Sequence, residues 1–127
     1  MSNTEIARRF YDAYNRRDWE EVRSLLSPGA EWFHAARGEL VNGVEGVIAL
    51  LRSSAEAFPD AKIEVRAVHE SGDVVVAECA YRVPRVPSSE QPTFCEVGTI
   101  KDGRFIRGST YADTLQMLLE LECRRAA

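Results

Sequence analysis

The sequence predicts an α+β domain: a curved antiparallel sheet wrapped over N-terminal helices. Three observations carry that prediction. Apolar residues recur at helical spacing through most of the first 58 positions. Beyond them, four segments alternate apolar and polar side chains, the period of a half-buried strand. These strands follow one another through short connections such as Ser71-Gly72-Asp73 and Lys101-Asp102-Gly103, and sequential strands with tight turns make an antiparallel meander. Helices segregated to one face of such a sheet leave a concave interior, a natural place for a small-molecule pocket.

The elements follow in order. Residues 3–16 form the first helix, starting at Asn3 or Thr4 with Thr4 as the N-cap, and with Ile6, Phe10, Ala13 and Tyr14 inward. Asp18-Trp19-Glu20-Glu21 is a capping box that opens a short second helix. Val22, Leu25 and Leu26 supply its buried side, and Ser27-Pro28-Gly29 ends it. Residues 30–34 read as a short strand with Trp32 and His34 on one face, and 35–42 as a loop. The third helix spans 43–58, with Val44, Val47, Ile48, Leu51 and Phe58 inward, and closes at Pro59-Asp60.

The strand at 62–70 puts Ile63, Val65, Ala67 and His69 on one side and Glu64, Arg66 and Glu70 on the other. Residues 74–83 form the next strand, and 84–92 a loop with three prolines. Strands at 93–100 and 104–112 complete the sheet. Asp113 opens a closing helix rich in leucine, and Asp113-Thr114-Leu115-Gln116 reads as a capping box, so Asp113 is taken as a cap.

Composition narrows the function classes. A chain of 127 residues, 45% apolar, is one domain with one core, residues 1–127, and it shows no repeat and no linker. Sixteen Lys and Arg against 20 Asp and Glu give a net charge of −4, which speaks against nucleic acid and anionic membranes. No apolar run approaches a membrane span, and Met1-Ser2-Asn3-Thr4-Glu5 lacks a signal-peptide pattern, so a cytoplasmic protein is expected. Cys79, Cys95 and Cys123 have no metal-ligand spacing and read as reduced thiols. With His34 and His69 as the only histidines and no HExxH, GxGxxG, Walker or GxSxG motif, neither a metal nor a cofactor is expected.

The candidate site starts from Glu96. In Thr93-Phe94-Cys95-Glu96-Val97-Gly98-Thr99-Ile100 it shares a strand face with Phe94, Gly98 and Ile100. A carboxyl on an apolar face meets a desolvation cost that raises its pKa, and such a group suits acid–base chemistry. If the opposite face, with Val97, were the inner one, Glu96 would be an ordinary surface residue. His34 brings an imidazole onto the face of Trp32. Tyr14 offers a hydroxyl next to Phe10. Gly98, Gly108, Thr110 and Ala112 are small, which leaves room for a ligand unless other side chains fill it. Phe94, Trp32 and Tyr81 are the expected apolar and aromatic lining, and His69 a structural or rim residue.

Four stretches together carry a resemblance: Phe10-Tyr11-Asp12-Ala13-Tyr14-Asn15-Arg16-Arg17-Asp18-Trp19, Ala30-Glu31-Trp32-Phe33-His34, Asn42-Gly43-Val44-Glu45-Gly46-Val47, and Lys101-Asp102-Gly103-Arg104-Phe105 with Tyr111-Ala112-Asp113. With them the chain resembles the cone-shaped nuclear transport factor 2-like fold, and within it the SnoaL-like proteins and ketosteroid isomerases. That resemblance implies an aspartate base at the end of the first strand, where this chain has His34. It implies a protonated acidic donor on the penultimate strand, where Glu96 stands. It implies a tyrosine donor on the first helix, where the matching residue is Phe10, with Tyr11 adjacent and Tyr14 one turn on. The Arg-x-Asp pair of limonene-epoxide-hydrolase-like members is absent from Ala77-Glu78-Cys79-Ala80-Tyr81-Arg82.

The expected function is a cofactor-independent isomerase, polyketide cyclase or dehydratase. It would abstract a proton beside a carbonyl of an apolar polyketide, terpenoid or steroid-like metabolite. His34, Glu96 and Tyr14 are the expected catalytic residues, and Phe10, Trp32, Phe94, Gly98, Tyr81 and Ala112 the ligand-binding ones. The resemblance also implies a homodimer. The rival expectations are a non-catalytic ligand-binding protein and an assembly domain of the same fold.

Overall fold

The computed structural model describes residues 1–87 and 91–112. The closing helix expected from Asp113 lies outside them. Helix α1 (Asn3–Asn15) is capped by Ser2, whose side chain accepts from the Glu5 N–H while the Glu5 carboxylate accepts from the Ser2 N–H. The cap therefore lies two residues before the expected Thr4. Thr4 instead donates its N–H and its hydroxyl to Glu70 Oε1, both at 2.8 Å.

The buried face of α1 is wide and takes in Ile6, Ala7, Phe10, Tyr11, Ala13 and Tyr14. At its far end the Asn15 side chain accepts from the Ile63 N–H at 2.7 Å and donates to the Ile63 carbonyl at 2.8 Å, as a neighbouring strand would. Arg17, in the left-handed region at φ 58, donates to the carbonyls of Phe58, Pro59 and Ala61. Helices α2 (Trp19–Ser24, capped by Asp18) and α3 (Val44–Ala57) are the other helices among the described residues.

The strands are β1 (Leu26–His34), β2 (Glu39–Asn42), β3 (Lys62–Ser71), β4 (Val74–Arg82), β5 (Thr93–Lys101) and β6 (Arg104–Ala112). They form one six-stranded sheet in the order β2-β1-β6-β5-β4-β3. The architecture is the expected α+β one. Every pairing is antiparallel except β1 with β6, which is parallel.

Three local features depart from the pattern the sequence suggests. Strand β1 starts at Leu26 and runs through Ser27-Pro28-Gly29, with its pairing to β6 shifted between Leu26 and Glu31. Such an irregularity is where a strand tolerates a proline, which has no N–H to give. Strand β2 stands inside the expected loop. It is short and exposed, with Leu40 at 53%, so no buried alternation announces it. In β3 the register shifts between Val65 and Ala67. One extra residue reverses the facing of everything after it. His69 therefore leaves the side of Ile63 and Val65 and pairs with Glu78 at the surface, Nε2 to Oε2 2.6 Å.

The core lies between the helices and the sheet. Phe10 stacks nearly parallel on Trp32, with centroids 5.8 Å apart and planes 7° apart, and tilts against Phe105 at 4.9 Å. Two glycines make this stack possible. A Cβ on Gly108 would lie 2.4 Å from Trp32 Cζ3, and one on Gly98 would lie 2.5 Å from Phe105 Cε1. The space above Gly98 is thus filled by a ring of the sheet itself. The smallness of Gly98 serves packing.

Candidate active site

Burial decides the facing of β5. Phe94, Glu96, Gly98 and Ile100 are buried, whereas Thr93 is exposed and Cys95, Val97 and Thr99 are half-buried. Glu96 lies on the inner face, the one buried charged residue among the described residues. Burial raises its pKa from the ordinary carboxylate value, opposed by the hydrogen bonds it accepts from Thr110 and Tyr11.

Both carboxyl oxygens are engaged. The Tyr11 hydroxyl donates to Oε1 at 2.6 Å and the Thr110 hydroxyl to Oε2 at 2.5 Å. Thr110 in turn accepts from the Trp32 indole N–H at 2.8 Å. Burial and the neighbouring Glu96 carboxyl hold the Tyr11 hydroxyl well above its usual range. Cys79, across β4, is raised to about 12 by burial and by the charge of Glu96.

Sheet register aligns His34 with this group. His34 pairs with Thr110, Thr110 with Glu96 and Glu96 with Ala77, so the four form one transverse row across β1, β6, β5 and β4. Paired residues share a face. The structure thus brings His34 and Glu96 to the same face with Thr110 between them, and no direct hydrogen bond joins their side chains. His34 Nδ1 is buried and has no hydrogen-bond partner among the described residues. Burial, with the charge of Arg37, lowers the His34 pKa, while Glu39 opposes.

Tyr14 makes no hydrogen bond to Glu96, and its hydroxyl neighbours that of Tyr81. Its ring meets Trp19 edge-on at 5.8 Å under the Arg17 guanidinium. The hydroxyl at Glu96 is that of Tyr11, three positions earlier in the helix. Sequence reasoning named Tyr11 only as a neighbour of Phe10, and the width of the α1 buried face hid which tyrosine lies over β5. Thr110 was singled out only for its size.

Tyr81 tilts against Phe94 at 4.9 Å, and its hydroxyl is 3.1 Å from Ser54 Oγ. Burial pushes that phenol up. Phe94 pairs with Ala112 at the end of the sheet. Phe10 and Trp32 belong to the aromatic stack. No group of three or more potential metal ligands occurs among the described residues.

A family model of the SnoaL-like domain matches residues 7–108. No curated protein matches the chain in sequence. Solved structures share its fold. IdmH of Streptomyces antibioticus, a candidate polyketide cyclase, is 22% identical over 96% of this chain and 99% of its own, with a TM-score of 0.82. TerC, co-crystallised with polyporic acid, is 24% identical over 94% and 98%, at 0.80. A candidate ketosteroid isomerase of Kribbella flavida is 18% identical over 85% and 75%, at 0.72.

Proposed function

The chain belongs to the family of SnoaL-like domains, and from that premise we propose a small enzyme, independent of any cofactor, that takes a proton from the carbon beside a carbonyl of an apolar metabolite. Polyketide, terpenoid and steroid-like compounds are the substrate class. Isomerisation, dehydration and cyclisation all begin with this step.

One observation carries the reading. A buried imidazole nitrogen without a protein partner, His34 Nδ1, shares a transverse row with a buried carboxyl of raised pKa. The lowered pKa keeps His34 neutral at pH 7, so it can accept a proton. Negative charge then develops on the carbonyl oxygen. Burial favours the protonated forms of Tyr11 and Glu96, and in this reading the Tyr11 O–H, backed by Glu96, is the donor for that oxygen. Tyr11 takes the role that the sequence pattern suggested for Tyr14. His34 returns its proton to a second carbon in an isomerisation, or toward the departing oxygen in a dehydration. Phe10, Trp32, Phe94 and Tyr81 are the proposed apolar lining.

A second reading rests on a different observation. Both Glu96 oxygens are satisfied by the chain's own hydroxyls, which suits a protein that binds an apolar ligand without turning it over. In either reading the protein acts in the cytoplasm as a homodimer. The half-exposed Tyr111 beside Arg66, Glu78 and Cys95 on the outer sheet face supports that assembly.

The test is hydrogen–deuterium exchange. Apolar ketones are incubated with the protein in D₂O and the α-hydrogens followed by NMR, for wild type, H34A and E96Q. Exchange by the wild type that vanishes in H34A supports the enzyme. Saturable binding of the same ketones with no exchange selects the binding protein.

A further inference from the structure

The direction of the hydrogen bonds around Glu96 carries more than their existence. An indole N–H can only donate. Trp32 Nε1 therefore fixes the Thr110 oxygen as an acceptor, and the single Thr110 hydrogen points to Glu96 Oε2. Trp32 cannot turn away, because its ring is held between Phe10 and the glycine floor at Gly108.

We propose that Thr110 is a positioning residue of the site: clamped by Trp32, it makes Glu96 Oε2 a standing acceptor and so places the carboxyl proton on Oε1, facing Tyr11. The inference rests on the enzyme reading for the use made of that proton. The clamp itself rests on the hydrogen bonds alone.

The chemistry follows from counting hydrogens. A protonated carboxyl has one O–H and needs one acceptor for it. On the Oε2 side, the Thr110 oxygen already takes the Trp32 N–H while its own hydrogen occupies Oε2. On the Oε1 side, the Tyr11 oxygen has two lone pairs, of which its other hydrogen-bond neighbour, the Cys79 thiol, can take one. In the protonated state the Glu96 O–H thus donates to Tyr11, the reverse of the Tyr11-to-Oε1 bond that the charged carboxyl accepts, and the phenol hydrogen turns away from Oε1. No bond to carbon forms or breaks in this step. Tyr11 from α1, Cys79 and Tyr81 from β4 and Cys95 beside Glu96 are the titratable groups that bear on the carboxyl.

The test compares T110V and T110S with the wild type. The infrared carbonyl band of protonated Glu96, identified by its absence in E96Q, is followed against pH, alongside the exchange rate. Valine keeps the shape of threonine but removes the donor that favours the charged form. The Glu96 midpoint should then move upward in T110V, exchange should slow on the order of tenfold, and T110S should restore both. W32F provides a second route if T110V folds poorly. Freed from its orienting donor, Thr110 can turn and accept the carboxyl proton, so the midpoint should again rise. A midpoint unmoved in whichever of these variants folds, or unrestored in T110S, overturns the clamp. If the midpoint moves and returns as expected while the wild type shows no exchange, the clamp stands and the enzyme reading falls.

Discussion

Tyr11 donates a 2.6 Å hydrogen bond to Glu96, a residue 85 positions away in the chain, and the bond is buried. It ties α1 to β5 where the carboxyl, held at Oε2 by Thr110, would otherwise leave Oε1 without a partner. Leaving one partner of such a buried pair unmet costs about 1–3 kcal/mol.

Replacing Tyr11 by Phe removes this donor and little else. The expected result is a loss of about 1–3 kcal/mol in stability, measured by urea unfolding. Y11F should also slow ketone exchange more than Y14F does, since the Tyr14 ring lies against Trp19. Equal losses in the two variants would contradict the placement of Tyr11 as the donor.

Glu96 predicts a pH dependence with a definite sign. Its folded pKa is raised above the ordinary 4.5. Between that value and the folded pKa, the folded protein binds more protons than the unfolded one, so stability falls as pH rises. The contribution is complete below 4.5 and is lost as pH passes through the folded pKa. In E96Q this slope should disappear, as thermal unfolding from pH 4 to pH 9 would reveal.

His34 sets the acid limb of the activity. Its pKa is lowered from 6.5, so the neutral base persists through neutral pH and exchange should decline only on the acid side of 6.5. H34A should lose that limb and on the order of 10²-fold or more in rate. A pH–rate profile identical in H34A and wild type would remove His34 from the mechanism.

Gly108 is a packing requirement. A methyl group there would meet Trp32 at 2.4 Å, and Phe10 stacked behind that ring leaves it nowhere to move. Overpacking of this kind costs about 1–3 kcal/mol. G108A should therefore lower the melting temperature by several degrees, whereas G29A, with nothing within 4 Å of the added methyl, should change it far less.

The same comparisons separate what was legible in the residues from what was not. The inner face of β5 was readable because alternation over Phe94, Glu96, Gly98 and Ile100 is local. On β3 the same rule misplaced His69, because the register shift after Val65 leaves no mark in hydrophobicity. On α1 the periodicity correctly turned Ile6, Phe10, Ala13 and Tyr14 inward. It said nothing of which tyrosine would meet Glu96, because six of the helix's residues are buried and the choice depends on how the helix lies across the sheet. The parallel pairing of β1 with β6 was likewise invisible, since neither strand carries a signal for its partner.

The sequence by itself determined the helices α1 to α3, the strands β3 to β6, the α+β class and the placement of a carboxyl and an imidazole beside apolar side chains of their strands. These follow from periodicity, which each segment carries alone. The tertiary structure alone decided that His34, Thr110 and Glu96 form one row, that Tyr11 and Thr110 hold the carboxyl, and that Gly98 and Gly108 make room for rings. Those are relations between segments far apart in the chain, fixed by strand register and by the seat of α1 on the sheet.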